Sequence, residues 1–219
     1  MATWTLTGTT AQLHGDGFLA TIDLLQPQRG LHEVTIANAA MSKVEVLGVA
    51  LPLASADELS LPETYVRGSD LVAVYLPTPT RPWRVQAYWR IVEFGSVENT
   101  VVIELQVSIN TGLLDAHPIV DVVAHLTGAK SPTNEAEPMR FVFDATGWSY
   151  SQLVHPDDPC RTASTATLQG LHVTQRLFDR FLEKGVILRA RVRGAFALSA
   201  ANVDAIFAEF AESPLPLTT

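Results

Sequence analysis

The chain has 219 residues, a formal charge of −8, 47% apolar and 17% charged residues, and one cysteine, Cys160. That balance supports a sizeable core and lies far from the polar make-up of disordered chains. It opposes the basic footprint that a nucleic-acid backbone or an anionic membrane demands, and a lone thiol permits neither an intramolecular disulfide nor a cysteine metal cluster. Met1–Thr10 shows no basic and apolar leader pattern, and no apolar run reaches the ~20 residues of a bilayer span. The sequence therefore predicts a cytoplasmic protein with no nucleic-acid partner, no membrane partner, no metal and no cofactor.

In chain order, short runs rich in β-branched and aromatic residues recur between Gly, Pro, Asn and Asp punctuation, the pattern of an all-β protein. Predicted strands cover Thr3–Thr7, Phe18–Leu25, Leu31–Ala37, Val44–Leu51, Glu63–Arg67, Leu71–Leu76 and Arg84–Glu93. They continue with Val101–Ser108, Val120–Leu126, Met139–Asp144, Ser149–Val154, Gly170–Leu177 and Val186–Ala197. Gly68, in Arg67-Gly-Ser-Asp70, can take the positive φ of a tight hairpin and should pair the strands on either side. Three prolines in Leu76-Pro-Thr-Pro-Thr-Arg-Pro82 cannot donate to a ladder and predict a loop.

Gln175–Phe181 reads equally as a helical turn or a strand end. After Ser199, a good N-cap residue, Val203, Ile206, Phe207 and Phe210 form one apolar stripe, which predicts an amphipathic helix lying across a sheet. Pro214 and Pro216 should end it and leave Leu215–Thr219 extended. Residues 1–219 are thus expected to form a single domain, a large antiparallel β-sandwich closed by one C-terminal amphipathic helix.

Successive side chains of a strand point to opposite sides of its sheet, so parity separates faces. Along Arg84–Arg90 one side carries Arg84, Gln86, Tyr88 and Arg90, and the other Val85, Ala87 and Trp89. Glu104, Gln106, Ser108 and Asn110 oppose Ile103, Leu105, Val107 and Ile109; Arg189, Arg191 and Arg193 oppose Leu188, Ala190 and Val192. Sharing one sheet, these polar rows would suit a sugar or sugar-acid ligand held by Arg84, Tyr88, Arg90, Glu104, Arg189 and Arg191. The plain alternative is the wet face that antiparallel sheets normally carry, with Arg–Glu pairs serving solubility and register.

Other candidates are local. His14, His32, His117, His125, His155 and His172 form no compact metal motif. His125 shares strand parity with Asp121, as a base and its orienting carboxylate would, or as an exposed pair. His155-Pro-Asp-Asp-Pro-Cys160 gathers imidazole, carboxylates and thiol in one loop, either a site or a turn whose aspartates bond their own backbone. Glu183-Lys184-Gly185 reads as a turn before the arginine strand. Gly147-Trp-Ser-Tyr-Ser151 lacks the second glycine of a nucleophile elbow, and no phosphate-binding glycine loop is present.

Leu177–Gly194, with Leu182-Glu-Lys-Gly-Val-Ile-Leu-Arg-Ala-Arg-Val-Arg-Gly194, together with the long strand Arg84–Arg90 and the many-stranded layout, resembles the galactose mutarotase-like supersandwich. The resemblance implies two large sheets with sugar bound in a cleft on the concave one; that family's acid and base motifs match no positions here, so no catalytic residue is carried over. Three readings follow. The first is a protein that binds or modifies a carbohydrate on the polar face, and the second a non-catalytic structural protein that forms homo-oligomers. The third is a hydrolase or isomerase using His155–Cys160.

Overall fold

A computed structural model describes residues 2–15, 17–41, 43–52, 59–92, 100–130, 139–143, 146–158, 160–167 and 170–214. The expected extended tail and the strand ends at Glu93 and Asp144 lie outside the described residues. Strands β1 (Thr3–Thr7), β2 (Thr10–Gly15), β3 (Phe18–Asp23), β4 (His32–Ile36) and β5 (Ala39–Ala40) form an antiparallel sheet in chain order. Then come β6 (Val44–Ala50), β7 (Glu63–Arg67), β8 (Asp70–Tyr75), β9 (Trp83–Val92), β10 (Thr100–Thr111) and β11 (Ile119–Leu126). The chain continues through β12 (Ala129–Lys130), β13 (Met139–Phe143), β14 (Ser149–Val154), β15 (Cys160–Thr167), β16 (Gly170–Phe178), β17 (Ile187–Ala197) and helix α1 (Ala200–Glu212).

An eight-stranded sheet runs β12-β13-β14-β17-β10-β9-β8-β7, and a four-stranded one β15-β16-β11-β6. The fold is the all-β sandwich with one C-terminal helix that the strand punctuation and the Val203–Phe210 stripe predict. Gln175–Phe181 resolves as strand up to Phe178. Ser199 takes the N-cap position without a side-chain cap bond, and α1 ends at Glu212, just before Pro214.

Four strands lie outside the predicted ones: β5 and β12, of two residues each, and the longer β2 and β15. In β2 only Ala11 and Leu13 face inward, too few to stand out. β15 is an edge strand, Cys-Arg-Thr-Ala-Ser-Thr-Ala-Thr, mostly exposed and held by its ladder to β16 rather than by burial. The proline loop folds round the fully buried Arg81, whose guanidinium donates to the carbonyls of Trp83 (2.8 Å) and Leu76 (2.7 Å).

Burial in β9 alternates strictly through Arg90 because Val85, Ala87 and Trp89 point into the core while Arg84, Gln86, Tyr88 and Arg90 point out. The buried side of the large sheet packs with residues of the other two sheets in one apolar cluster from Trp4 to Phe196. Polar tips tie the sheets where apolar packing alone would leave a buried donor unpaired. Tyr75 donates to the Leu24 carbonyl (3.1 Å), and the Gln152 amide donates to Gln175 (2.7 Å). Trp89 Nε1 donates to the Leu47 carbonyl at 3.0 Å.

That last carbonyl is offered by a bulge. Glu45 pairs with His125 and Gly48 with Val123, so Val46 and Leu47 stand together opposite Ala124, with Leu47 at φ 53°. A second bulge lies in β4, where Glu33 and Val34 stand opposite Ala20 and Glu33 takes φ 54°. The short turn Pro27–Arg29 crosses β6 so closely that a Cβ on Gly48 would lie 2.1 Å from the Gln28 carbonyl oxygen. A Cβ on Gly30 would lie 2.1 Å from the Val46 carbonyl oxygen.

Candidate ligand-binding face

The polar rows of the three long strands come together on the outer face of the eight-stranded sheet. Register sets Arg84 opposite Asn110, Gln86 opposite Ser108, Tyr88 opposite Gln106 and Arg90 opposite Glu104. On the far side of β10, Arg189 stands opposite Ser108, Arg191 opposite Gln106 and Arg193 opposite Glu104. All six residues singled out from the sequence therefore share one face of one sheet, but that face is divided.

Its open half is a pocket of about 170 Å³ into which Arg84, Tyr88, Arg90 and Arg189 project, joined by Arg67, Gln86, Gln106 and Asn110. β7 and β8 extend the same face, and Asp70 there, almost fully buried, takes a two-pronged bond from Arg90 at 2.7 and 3.1 Å. That bond is the main reason the Arg90 pKa is raised. Arg67 approaches the same carboxylate at 3.6 Å, and Arg84 reaches Glu63 at 3.7 Å. Burial, reinforced by Tyr65 and opposed by Arg67, Arg189 and Arg84, raises the Tyr88 pKa, so its phenol is neutral at pH 7 and both donates and accepts.

Helix α1 covers the other half. Val203, Ile206, Phe207 and Phe210 bury against Val102, Leu153, Ala195 and Ala197, the residues where the outer parity turns apolar. At the border between the halves, Arg193 donates to Glu104 (2.9 Å), to Glu209 of the helix and to the Ile206 carbonyl (3.3 Å). Arg191 donates to Ser213 Oγ (3.0 Å) and the Pro214 carbonyl (3.1 Å), holding the end of the helix. The Phe210 ring lies 4.4 Å from the Arg193 guanidinium and 5.5 Å from that of Arg191, with the His155 ring edge-on at 5.0 Å.

Glu104 and Arg191, which the sequence points to as ligand residues, are 7% and 2% exposed and hold α1 to the sheet rather than lining the pocket. Arg67, Gln86, Gln106 and Asn110 line it in addition to the residues that the sequence points to. The last three carried the right parity; Arg67 is brought in by the hairpin that its own Arg-Gly-Ser-Asp turn closes. A signal for the division was present too: the small residues Ala195 and Ala197 follow Arg193 on the same parity, as a helix-bearing surface needs.

The other sequence candidates are engaged elsewhere. Asp121 takes a two-pronged bond from Arg176 (2.9 and 3.0 Å), and His125 stacks on His172 with ring centroids 4.3 Å apart. His155 is buried beneath α1, its Nδ1 accepting from the Asp157 backbone N–H (3.2 Å), while Cys160 opens β15 in the four-stranded sheet. Asp158 accepts from the Arg191 backbone N–H (2.8 Å); burial nonetheless raises its pKa. Glu183 and Lys184 are exposed in a turn with Gly185 at φ 83°. Among the described residues no three of His, Cys, Asp or Glu group as metal ligands, and no helix is long and apolar enough to cross a membrane.

No protein-family model matches the chain, and no curated protein matches it. Two solved chains of a heparinase III gene product resemble it in structure. One has a TM-score of 0.35 and 11% identity, covering 74% of this chain and 24% of its own. The other, with methylated lysines, has a TM-score of 0.41 and 12% identity, covering 92% of this chain and 35% of its own. This chain thus spans about a quarter to a third of the length of those neighbours, and at such scores the likeness assigns neither family nor activity.

Proposed function

We propose that the open half of the outer face binds a carbohydrate bearing an acid group, through Arg84, Tyr88, Arg90 and Arg189. The observation that carries this reading is a pocket on a chain of net charge −8 in which four arginines line the wall around one tyrosine, Arg90 and Arg67 sharing Asp70, Arg84 meeting Glu63 only at 3.7 Å, and Arg189 beside them. Guanidinium forks such as those of Arg84 and Arg189 match a carboxylate or sulfate, Arg90, whose fork is held by Asp70, adds positive charge to the wall, and Gln86, Gln106 and Asn110 can both give and accept hydrogen bonds with hydroxyls. At about 170 Å³ the pocket is small for a site of its kind, so it would take one ring or one acidic group of a longer chain. Binding is better supported than modification: among the described residues the lining supplies no carboxylate or imidazole to move a proton, and the Tyr88 phenol stays protonated at neutral pH. Kinship with the galactose mutarotase-like proteins belongs to this proposal, supported by the large sheet with a polar outer face.

Calorimetric titration with glucuronate, galacturonate and the corresponding neutral hexoses tests the reading. The acids should bind saturably and the neutral sugars about tenfold more weakly, as expected for one lost charge-assisted pair. Arg189→Gln and Arg84→Gln should each weaken the acids by a similar factor. Equal affinity for acid and neutral sugar, or none for either at millimolar concentration, removes the proposal.

A second reading, self-association, is favoured by exposed apolar side chains on the segments that flank the pocket-lining Ile187. Leu113 and Leu114, 47% and 81% exposed, and Phe181 and Ile187, 47% and 50% exposed, lie on segments tied together by the Ala116–Leu182 bridge and the Asn110–Ile187 pairing. Sedimentation of the native protein and of Leu114→Asp decides it: a dimer lost in the variant supports the reading, and a native monomer at micromolar concentration refutes it.

A further inference from the structure

A larger cavity lies away from the polar face, where β4 and β5 of the five-stranded sheet meet β6 and β11 of the four-stranded one. At about 650 Å³ it falls within the roughly 300–1,000 Å³ of ordinary small-molecule sites. Val34, Met41 and Val44 are buried and give the cavity an apolar floor. Its walls carry both signs of charge.

The backbone there is unusual. Glu33 and Lys43, both lining the cavity, take φ 54° and 58°, and Leu47 behind them takes φ 53°. Side chains other than glycine seldom adopt this conformation, and bulges of the kind at Glu33 re-aim a side chain out of its strand's alternation. Such strain persists where the surrounding structure overrides it, and it concentrates at binding sites. Here the close crossing of Pro27–Arg29 over β6, through Gly30 and Gly48, supplies that surrounding structure.

The polar groups fall into two sets. Arg29 and Glu45 neutralise each other at 2.8 Å. Glu33 and Lys43 are exposed, and neither has an ion-pair partner among the described residues. His32, 4% exposed, has its Nδ1 3.1 Å from the Gly30 carbonyl; with the proton there, Nε2 remains as a lone-pair acceptor on a cavity-lining ring. An apolar floor flanked by one unpaired carboxylate and one unpaired ammonium matches a small molecule with an ammonium, a carboxylate and an apolar body.

We infer that this cavity is a second binding site, for a zwitterionic small molecule of the α-amino-acid kind, with Glu33 receiving its ammonium and Lys43 its carboxylate. The site shares no residue with the sugar-acid pocket, so either can fail without the other.

Leucine, leucine amide and 4-methylpentanoate are the probes, read by methyl NMR of Met41, Val34 and Val44 on the full chain. Leucine should shift these resonances saturably, whereas the amide, lacking the carboxylate, and the acid, lacking the ammonium, should bind about tenfold more weakly. Glu33→Gln should weaken leucine but not 4-methylpentanoate, and Lys43→Gln should weaken leucine but not the amide. Both positions are exposed, and native-like dispersion in the methyl spectrum of the free variants checks that they fold. Leucine leaving the three residues unmoved at 10 mM (about ten times a weak, millimolar Kd), or all three probes binding equally, overturns the inference.

Discussion

Replacing Arg193 by Met tests whether the border residues of the outer face hold the helix rather than a ligand. The Arg193 and Glu104 side chains are only 4% and 10% exposed, so solvent does little to screen the Glu104 charge once its hydrogen-bonded partner is gone. Removing one member of a buried pair costs about 3–5 kcal/mol, chiefly through the charge left behind. Glu209, about half exposed, is released to water on the same change and adds little. Arg193→Met should therefore lose about 3 kcal/mol, a fall of roughly 6–12 °C in melting temperature for a chain of this size. Adding Glu104→Leu removes the stranded carboxylate, and the double variant should recover to within about 1 kcal/mol of the native protein. Urea denaturation followed by circular dichroism measures both. A single variant losing under about 1 kcal/mol, or a double variant no better than the single one, refutes the reasoning.

The crossing at Gly48 leaves no room for a side chain, so Gly48→Ala should cost several kcal/mol, on the order of a severe core defect, and lower soluble yield. Asp158 has a raised folded pKa, so the native state binds more protons than the unfolded chain above pH 3.8. Stability should therefore fall as pH rises from 3.8 through the folded value, and Asp158→Asn should flatten that part of a stability–pH profile; an unchanged slope rejects the assignment. The His172 pKa is lowered below 6.5, first by burial and then by His125. His125→Gln should move the NMR titration midpoint of His172 upward but not all the way to 6.5; a downward shift would contradict the stacking geometry.

Much of the fold is legible because β strands with one buried face announce themselves by parity. Arg84–Arg90, Glu104–Asn110 and Arg189–Arg193 read correctly as rows sharing a polar side, since each alternates with Val, Leu, Ile or Trp that the core demands. β15 was illegible for the converse reason: a mostly exposed edge strand of Thr, Ser and Ala carries no burial signal, and only its partner β16 defines it. Parity also cannot say what covers a face. That Glu104 and Arg191 lie beneath α1 while Arg84 and Arg189 stay open depends on where a helix far along the chain comes to rest. The cavity at Glu33 and Lys43 was hidden for a third reason, because bulges break the very alternation by which faces are read.

Helix α1 follows in the chain every strand it covers, and this order matters during synthesis. Val102, Leu153, Ala195 and Ala197 are all made before residues 200–212 can shield them. At five to twenty residues per second, roughly one to three seconds separate Ala197 from the end of α1, apart from the time spent in the ribosomal tunnel. A nascent chain in that interval presents an apolar strip bordered by the guanidinium groups of Arg191 and Arg193, a surface suited to chaperone capture. Chains that stop short of Phe210 would keep it uncovered and would be the ones to aggregate.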